Sequence, residues 1–273
     1  MTTPGELWLR EYHDRKPDSQ SVLIEAGKVV GDGRASYDVF AELVGTPPRV
    51  LDLGCGDGAL LATFARQGSA HLAGIDLSAG ELALARRRPE LASARLEHGR
   101  TQELPFGDNA FDAVVSHMTL MLMDDLDRVV AEAVRVLAPG GVFAAAVGAG
   151  GGSGAAKVFF DLSKPMFLAV PEEHRAPVRG DRRTRTAEGF DEVLGPLGFE
   201  PVAWDEIVVD YTAPPEQVWA TCTEMFYPTS TLDDTTLAGL HTAFLDETRD
   251  LITDDGVVPA AVGIGIARTR LAG

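Results

Sequence analysis

The sequence predicts an α/β fold: a doubly wound, mainly parallel seven-stranded sheet preceded by N-terminal helices and followed by further amphipathic helices. Three observations carry this prediction. Strand-like and helical runs alternate from residue 49 to residue 147. The strand runs, such as Val50-Leu51-Asp52-Leu53 and the wholly apolar 142–147, suit strands covered on both faces. The first strand passes straight into a glycine-rich turn that opens a helix.

Residues 6–45 read as two or three helices. Leu7, Trp8 and Tyr12 share a face, residues 19–30 follow, and then 34–44 with Tyr37, Phe40 and Val44 at helical spacing. Gly45-Thr46-Pro47-Pro48 closes this part. The core then runs as strand 49–53, turn 54–58, helix 59–67, strand 71–76, helix 79 to about 88, strand 94–98, strand 111–116, helix 124–137 and strand 142–147. Pro139-Gly140-Gly141 stops that last helix. The glycine run 148–154 breaks the pattern. It reads as a floppy connection, with a phosphate cradle as the sharper alternative, although the Lys-Ser/Thr ending of a P-loop is missing. Residues 155–170 and 186–197 look helical, and 201–211 and 260–269 look like closing strands. Two amphipathic helices lie between those strands. One carries Val218, Trp219, Cys222 and Phe226, the other Leu237, Leu240, Phe244, Thr248 and Leu251, and both stripes read as core.

The 273 residues hold 24 Lys+Arg and 41 Asp+Glu, a formal net charge of −17. Such a chain is a poor partner for nucleic acid, which needs clustered cations, or for an anionic membrane surface. The excess is local. Residues 205–256 carry twelve acids and one base, Arg249. Solvated helices explain this; an acidic mouth for a cationic substrate is the alternative. Two distant cysteines, Cys55 and Cys222, build no disulfide framework and show no metal-ligand spacing. No metal is expected, and a reducing cytoplasm fits. The N-terminal residues lack a signal pattern, and no apolar stretch is long enough to span a membrane.

The most informative stretch is Val50 to Gly58, VLDLGCGDG. Its glycines permit a tight turn and close approach to a ligand, and the helix that follows offers free N–H groups. Asp76 ends the second strand, so the fold brings its carboxylate to the same edge, where it can accept from both hydroxyls of a ribose. Capping the next helix is the plainer role for Asp76, but Ser78 serves that purpose equally well. VLDLGCGDG, GIDLS, ELPFGDNAFDAVVS and RVLAPGG, in this order, resemble the class I S-adenosylmethionine (SAM) dependent methyltransferases, nearest the branch of the ubiquinone and menaquinone C-methyltransferases. The resemblance covers about residues 49–147. It implies a Rossmann-like methyltransferase fold, SAM as cofactor, S-adenosylhomocysteine as product and a small-molecule acceptor in specialised metabolism.

Carried over position by position, it implies that Asp52, Gly54, Cys55 and Gly56 hold the methionine end of SAM. Asp76 then takes the ribose, Leu77 packs on the adenine, and the segment with Thr101 and Gln102 faces the adenine edge. Ser116 and His117 border the methionine moiety and the acceptor pocket. Two departures stand out. The family's Gly-Asp-Ala is Gly99-Arg100-Thr101 here, so backbone groups or Gln102 must replace an acidic contact to the adenine amino group. Met121 and Leu122 stand where the branch often has paired histidines.

Methyl transfer needs alignment and exclusion of water, and a base only if the acceptor loses a proton. His117 is the best placed candidate, with Tyr12 and His13 next; His174 and His241 are not expected to take part, His241 reading as a core histidine. The resemblance makes 1–273 a single domain. Residues 1–45 cap it, 49–147 form the SAM-binding core, and 153–200 with 212–256 form a substrate lid and insertions. The segment from 155 to 227 is expected to roof a pocket for a largely apolar acceptor. The arginines 175, 179, 182, 183 and 185 read as a solvated loop, with capture of a carboxylate or phosphate as the alternative. Two further functions stay open: a reaction at the sulfonium other than methylation, and a non-catalytic SAM-binding partner. A monomer or a homodimer is expected.

Overall fold

A computed structural model of the chain describes residues 2–177 and 179–273, so residue 1 of the expected cap lies outside it. Helix α1 (Pro4–Arg15) begins with a complete capping box, in which Thr3 and Glu6 satisfy each other's backbone N–H groups behind Pro4. Then come α2 (Ser19–Ala26), the two-residue strand β1 (Lys28–Val29) and α3 (Ser36–Val44). The expected 19–30 helix therefore stops at Gly27. Any side chain on Gly27 would meet the ring of Tyr211 at 2.5 Å, and the chain turns there into an eighth, edge strand.

The core follows as β2 (Arg49–Leu53), α4 (Ala59–Gln67), β3 (His71–Asp76), α5 (Ala79–Ala85), β4 (Arg95–His98), β5 (Phe111–His117), α6 (Leu126–Val136) and β6 (Leu137–Ser153). The remainder is α7 (Gly154–Ala169), α8 (Ala187–Leu194), β7 (Ala203–Asp210), α9 (Pro215–Met225), α10 (Asp234–Thr248) and β8 (Ala260–Arg270). The eight strands lie in the order β1-β7-β8-β6-β5-β2-β3-β4. Strands β2 to β6 pair in parallel, while β8 runs antiparallel to β6 and β7, and β1 antiparallel to β7. All seven expected strands are present.

Alternate residues of β2 face opposite sides of the sheet. Leu51 and Leu53 join one core with α6 and α8, and Val50 joins the other with α3, α4 and α5. On α6 the stripe Leu126, Val129, Val130, Ala133 and Val136 is buried. A third core joins α7, α9, α10 and the start of β8 through Phe159, Val218, Cys222, Leu240 and Phe244. The first late stripe thus serves as core, and the second does so through Leu240, Phe244 and the buried Thr248, while Leu251 is exposed.

Two local expectations are corrected. Pro139-Gly140-Gly141 does not lie between helix and strand. The strand starts at once at Leu137, and the pairing with β5 shifts between Phe111↔Leu137 and Ala113↔Val142 to absorb the extra residues. The glycine run is no floppy connection either: β6 continues through it to Ser153, because β8 supplies antiparallel partners for Gly148, Gly150 and Ser153. Glycine suits this irregular ladder, since Gly150 has φ +76°.

Candidate active site

Along the chain, β3 and β4 are added on one side of β2 before β5 returns to the other side. This reversal leaves a crevice beyond the carboxyl ends of the strands. A cavity occupies it. Its floor is Gly54–Asp57 after β2, Asp76 and Leu77 after β3, Gly99, Thr101 and Gln102 after β4, and His117–Thr119 after β5. Its roof is Glu6, Leu9, Arg10 and His13 of α1, Gln20, Ser21 and Ile24 of α2, and Tyr37 of α3. Among the described residues of 155–227, expected as the roof, only Met225 and Tyr227 take part. Phe159, Trp219 and Phe226 of that segment are spent on the third core, where Phe159 packs on Trp219, Phe226 and Phe244.

The glycine turn is shaped by close approach. Gly54 has φ +75°, and a Cβ there would stand 2.2 Å from Cγ2 of Thr119. The N–H groups of Gly54 and Cys55 both donate to the carbonyl of Ile75, which ties the turn to the end of β3. Gly56 N–H donates to Oδ2 of Asp76, and Ser78 N–H to Oδ1, each at 2.8 Å. Each oxygen retains a second acceptor site for a ligand hydroxyl. Ser78 does cap α5, its hydroxyl accepting from Glu81 N–H at 3.1 Å. Asp76 is enclosed by protein yet open to the cavity, and burial raises its pKa against the pull of the two N–H donors.

Asp52 does not line the cavity. It is buried, its Oδ1 has no partner among the described residues, and burial with the nearby charge of Asp76 pushes its carboxyl well above the usual range. Ser116 is also withdrawn: its hydroxyl donates to Leu53 O and accepts from Leu120 N–H. A cradle of small residues, an orphaned carboxylate oxygen and a half-satisfied Asp76 fit a polar, cationic ligand such as SAM.

His117 and His13 lie on the wall in different states. His117 is packed against Tyr37 and Phe40, with Nε2 3.2 Å from Ser36 Oγ and Nδ1 without a partner among the described residues. Burial pulls its pKa down to about 3, so the imidazole is neutral. His13 has Nδ1 2.9 Å from Glu81 Oε1 and Nε2 3.0 Å from the Tyr227 hydroxyl. A carboxylate only accepts, so Nδ1 carries a proton and donates to Glu81, while Nε2 faces the Tyr227 hydroxyl. Tyr12 does not reach the cavity; its hydroxyl donates to Glu224 at 2.8 Å, and burial raises its pKa. It is unsuited to act as a base.

Two acidic groups on the wall, Glu6 and Glu81, were not singled out from the sequence. Both sit three residues after a capping residue, Thr3 and Ser78, and so look like ordinary helix-start glutamates. Glu81 is diverted from that role, one oxygen going to His13 and the other to Asp18 N–H. His241 is a surface residue paired with Glu216 rather than a core histidine. Of the arginine loop, Arg183 pairs with Asp181 and Asp127, while Arg179 lies over the rings of Trp8 and Tyr227.

Residues 51–145 match the family model described as a methyltransferase domain. A malonyl-[acyl-carrier protein] O-methyltransferase of Geobacter sulfurreducens is 37% identical over 179 residues, 63% of this chain and 63% of that protein. A trans-aconitate 2-methyltransferase of Deinococcus radiodurans is 32% identical over 166 residues, 60% of each. The matches thus span less than two thirds of these relatives. The crystal structure of the [4+2]-cyclase SpnF aligns with 97% of this chain and 96% of its own, with a TM-score of 0.57 and 22% identity. That likeness is one of fold.

Proposed function

We propose that this chain, whose residues 51–145 belong to the class I SAM-dependent methyltransferases, transfers the methyl group of SAM to a small-molecule acceptor. The observation that carries the proposal is Asp76. Its two oxygens are aligned by the N–H groups of Gly56 and Ser78, and each keeps room for a ribose hydroxyl at the switch point of the sheet.

When bound, SAM supplies a methyl group already activated by a positively charged sulfur. The chain's own residues then bind, orient and exclude water. The glycine turn admits the ligand to its backbone, and a cationic ligand favours the ionised forms of Asp76 and of Asp52 beneath it. The roof of α1 to α3 closes the crevice from solvent. The acceptor lies against Ile24, Tyr37, Met118, Met121 and Met225, an apolar wall whose methionines adapt to shape. Neutral His117 lines the wall and carries a single ring proton near neutral pH. His13, with Glu81 behind it, is the imidazole equipped to take a proton if the acceptor must lose one. Gly54, Cys55, Leu77, Thr101 and Gln102 complete the cofactor side; Ser116 and Asp52 support it from beneath.

The domain is single, with 1–45 as cap and 49–147 as core. It works as a monomer or homodimer in a reducing cytoplasm, consistent with two buried free thiols, Cys55 and Cys222. Replacing Asp76 with Ala is expected to weaken SAM binding at least tenfold, about 1.4 kcal/mol. Unchanged affinity by calorimetry would sink the proposal. Product analysis separates the alternatives: S-adenosylhomocysteine marks methyl transfer, and methylthioadenosine formed without an acceptor marks cleavage at the sulfonium.

A further inference from the structure

We infer that Arg179 selects the acceptor, and that the acceptor it selects carries a carboxylate on an apolar body. Such a molecule fills the acceptor side of the cavity described above, so this assignment rests on the methyltransferase reading.

Four of the five arginines of the loop are engaged elsewhere or exposed. Arg175 donates to the carbonyls of Val170 and Leu168, and Arg183 pairs with Asp181 and Asp127. Arg185 is exposed and donates to Gly148 O, and Arg182 is exposed. Arg179 differs. Its guanidinium lies 4.4 Å from the ring centre of Trp8 and 5.3 Å from that of Tyr227. Nη1 donates to Pro177 O at 3.1 Å, while the enclosed Nε has no partner among the described residues. Nη2 is not enclosed and donates to no described residue. Asp124, the acid whose charge Arg179 feels, accepts instead from the Thr3 hydroxyl and Gly180 N–H. Among the described residues Arg179 has no ion-pair partner, in a chain with 41 acids. A partly desolvated cation without a counter-charge costs stability, and an anionic ligand would relieve that cost. Stacking on two rings fixes the plane of the guanidinium and leaves its edge for an oxyanion.

The place suits an acceptor. Tyr227 lines the cavity, and a Cβ on Gly180 would stand 2.0 Å from Met121 O and 3.3 Å from Leu122 Cα, two more cavity residues. Arg179 therefore stands at the rim, just outside the lining, between α1 and the loop after β5. The wall inside is apolar: Met118, Met121, Met123 and Met225, four of the chain's six methionines, line it. One guanidinium balances one charge, and Glu6, Asp76 and Glu81 on the same wall would repel a second. A carboxylate thus fits better than a phosphate dianion.

Calorimetry on the chain saturated with S-adenosylhomocysteine tests this, using the straight-chain acids from butanoate to dodecanoate and the matching alcohols. At the chain length that binds best, the acid should bind about tenfold tighter than its alcohol. Arg179→Met keeps the apolar stem; it should abolish that preference and leave the affinities for the alcohol and for S-adenosylhomocysteine unchanged. Arg179→Lys, which keeps the charge and loses the fork, should retain part of the preference. Arg182→Met removes the same charge from the exposed part of the loop and should change nothing. Equal affinity for acid and alcohol, no saturable binding anywhere in the series, or a preference that survives Arg179→Met overturns the inference. Tighter binding of the matching alkyl phosphate overturns it as a carboxylate site. Any of these results with Asp76→Ala still weakening S-adenosylhomocysteine leaves the cofactor reading standing. Full affinity of Asp76→Ala for S-adenosylhomocysteine overturns both.

Discussion

Thr119 of the loop after β5 and Gly54 of the turn after β2 meet so closely that only hydrogen fits on the Gly54 Cα. Gly54→Ala would force both a left-handed alanine and a shift of Thr119. It is expected to lower unfolding stability by about 1–3 kcal/mol in urea titrations and to abolish SAM binding. The two carboxylates beside the turn lead to a second expectation. Burial raises the pKa of both Asp52 and Asp76 above the ordinary carboxylate value. A cationic ligand favours the ionised forms, so SAM binding should release protons and tighten as pH rises through their titration. Calorimetry in buffers of different ionisation enthalpy measures this. The uncharged thioether of S-adenosylhomocysteine should release fewer protons, and equal release for both ligands would contradict the idea. Glycine spacing, Asp76 and Ser78 were all legible from the sequence because each acts through local backbone geometry. Glu6 and Glu81 were not, since a capping glutamate and a site glutamate have the same sequence signature.

Helix α1 buries few of its own residues, namely Gly5, Glu6 and Tyr12, and is held chiefly by polar ties. Tyr12 and Lys16 reach Glu224, His13 reaches Glu81 and Tyr227, and Asp14 reaches Ser78 and Gly80. An element held this way opens more readily than the sheet beneath it. Thr3→Ala removes the capping hydroxyl, and also its contact with Asp124, so it should cost α1 about 1 kcal/mol. Faster amide exchange confined to α1, with weaker SAM binding and unchanged protection of β2 and β5, is the expected result. Among the strands, those buried on both faces were legible as apolar runs. The length of β6 was not, because a glycine run becomes a strand only when a partner such as β8 lies beside it.

Over the whole molecule, the charge of −17 divides into two parts. The acids near the cavity, Glu6, Asp57, Asp76 and Glu81, all come from the first third of the chain. None of the acids of segment 205–256 lines the cavity, and Glu224 accepts from the Tyr12 hydroxyl instead. Global stability carries a signature of His117. Its native pKa, about 3, lies below the ordinary value of about 6.5, so the unfolded chain binds the extra proton. The stability associated with neutral His117 is whole above about pH 6.5 and declines as pH falls through the window between those values. His117→Phe should flatten that acid limb in urea unfolding measured across the window, and an unchanged slope would argue against a neutral, buried imidazole.

By itself the sequence determined the doubly wound sheet, the glycine turn and the acid at the end of the second strand. These follow from periodicity and from backbone rules that act within a few residues. The tertiary structure alone decided that, of the described residues in 155–227, only Met225 and Tyr227 join α1 to α3 in roofing the cavity. It also decided that Tyr12 turns away from the site, and that Glu6 and Glu81 turn inward. Those outcomes depend on contacts between segments 60 to more than 200 residues apart, such as Tyr12 with Glu224 and His13 with Glu81. No local pattern encodes which surface a helix will meet.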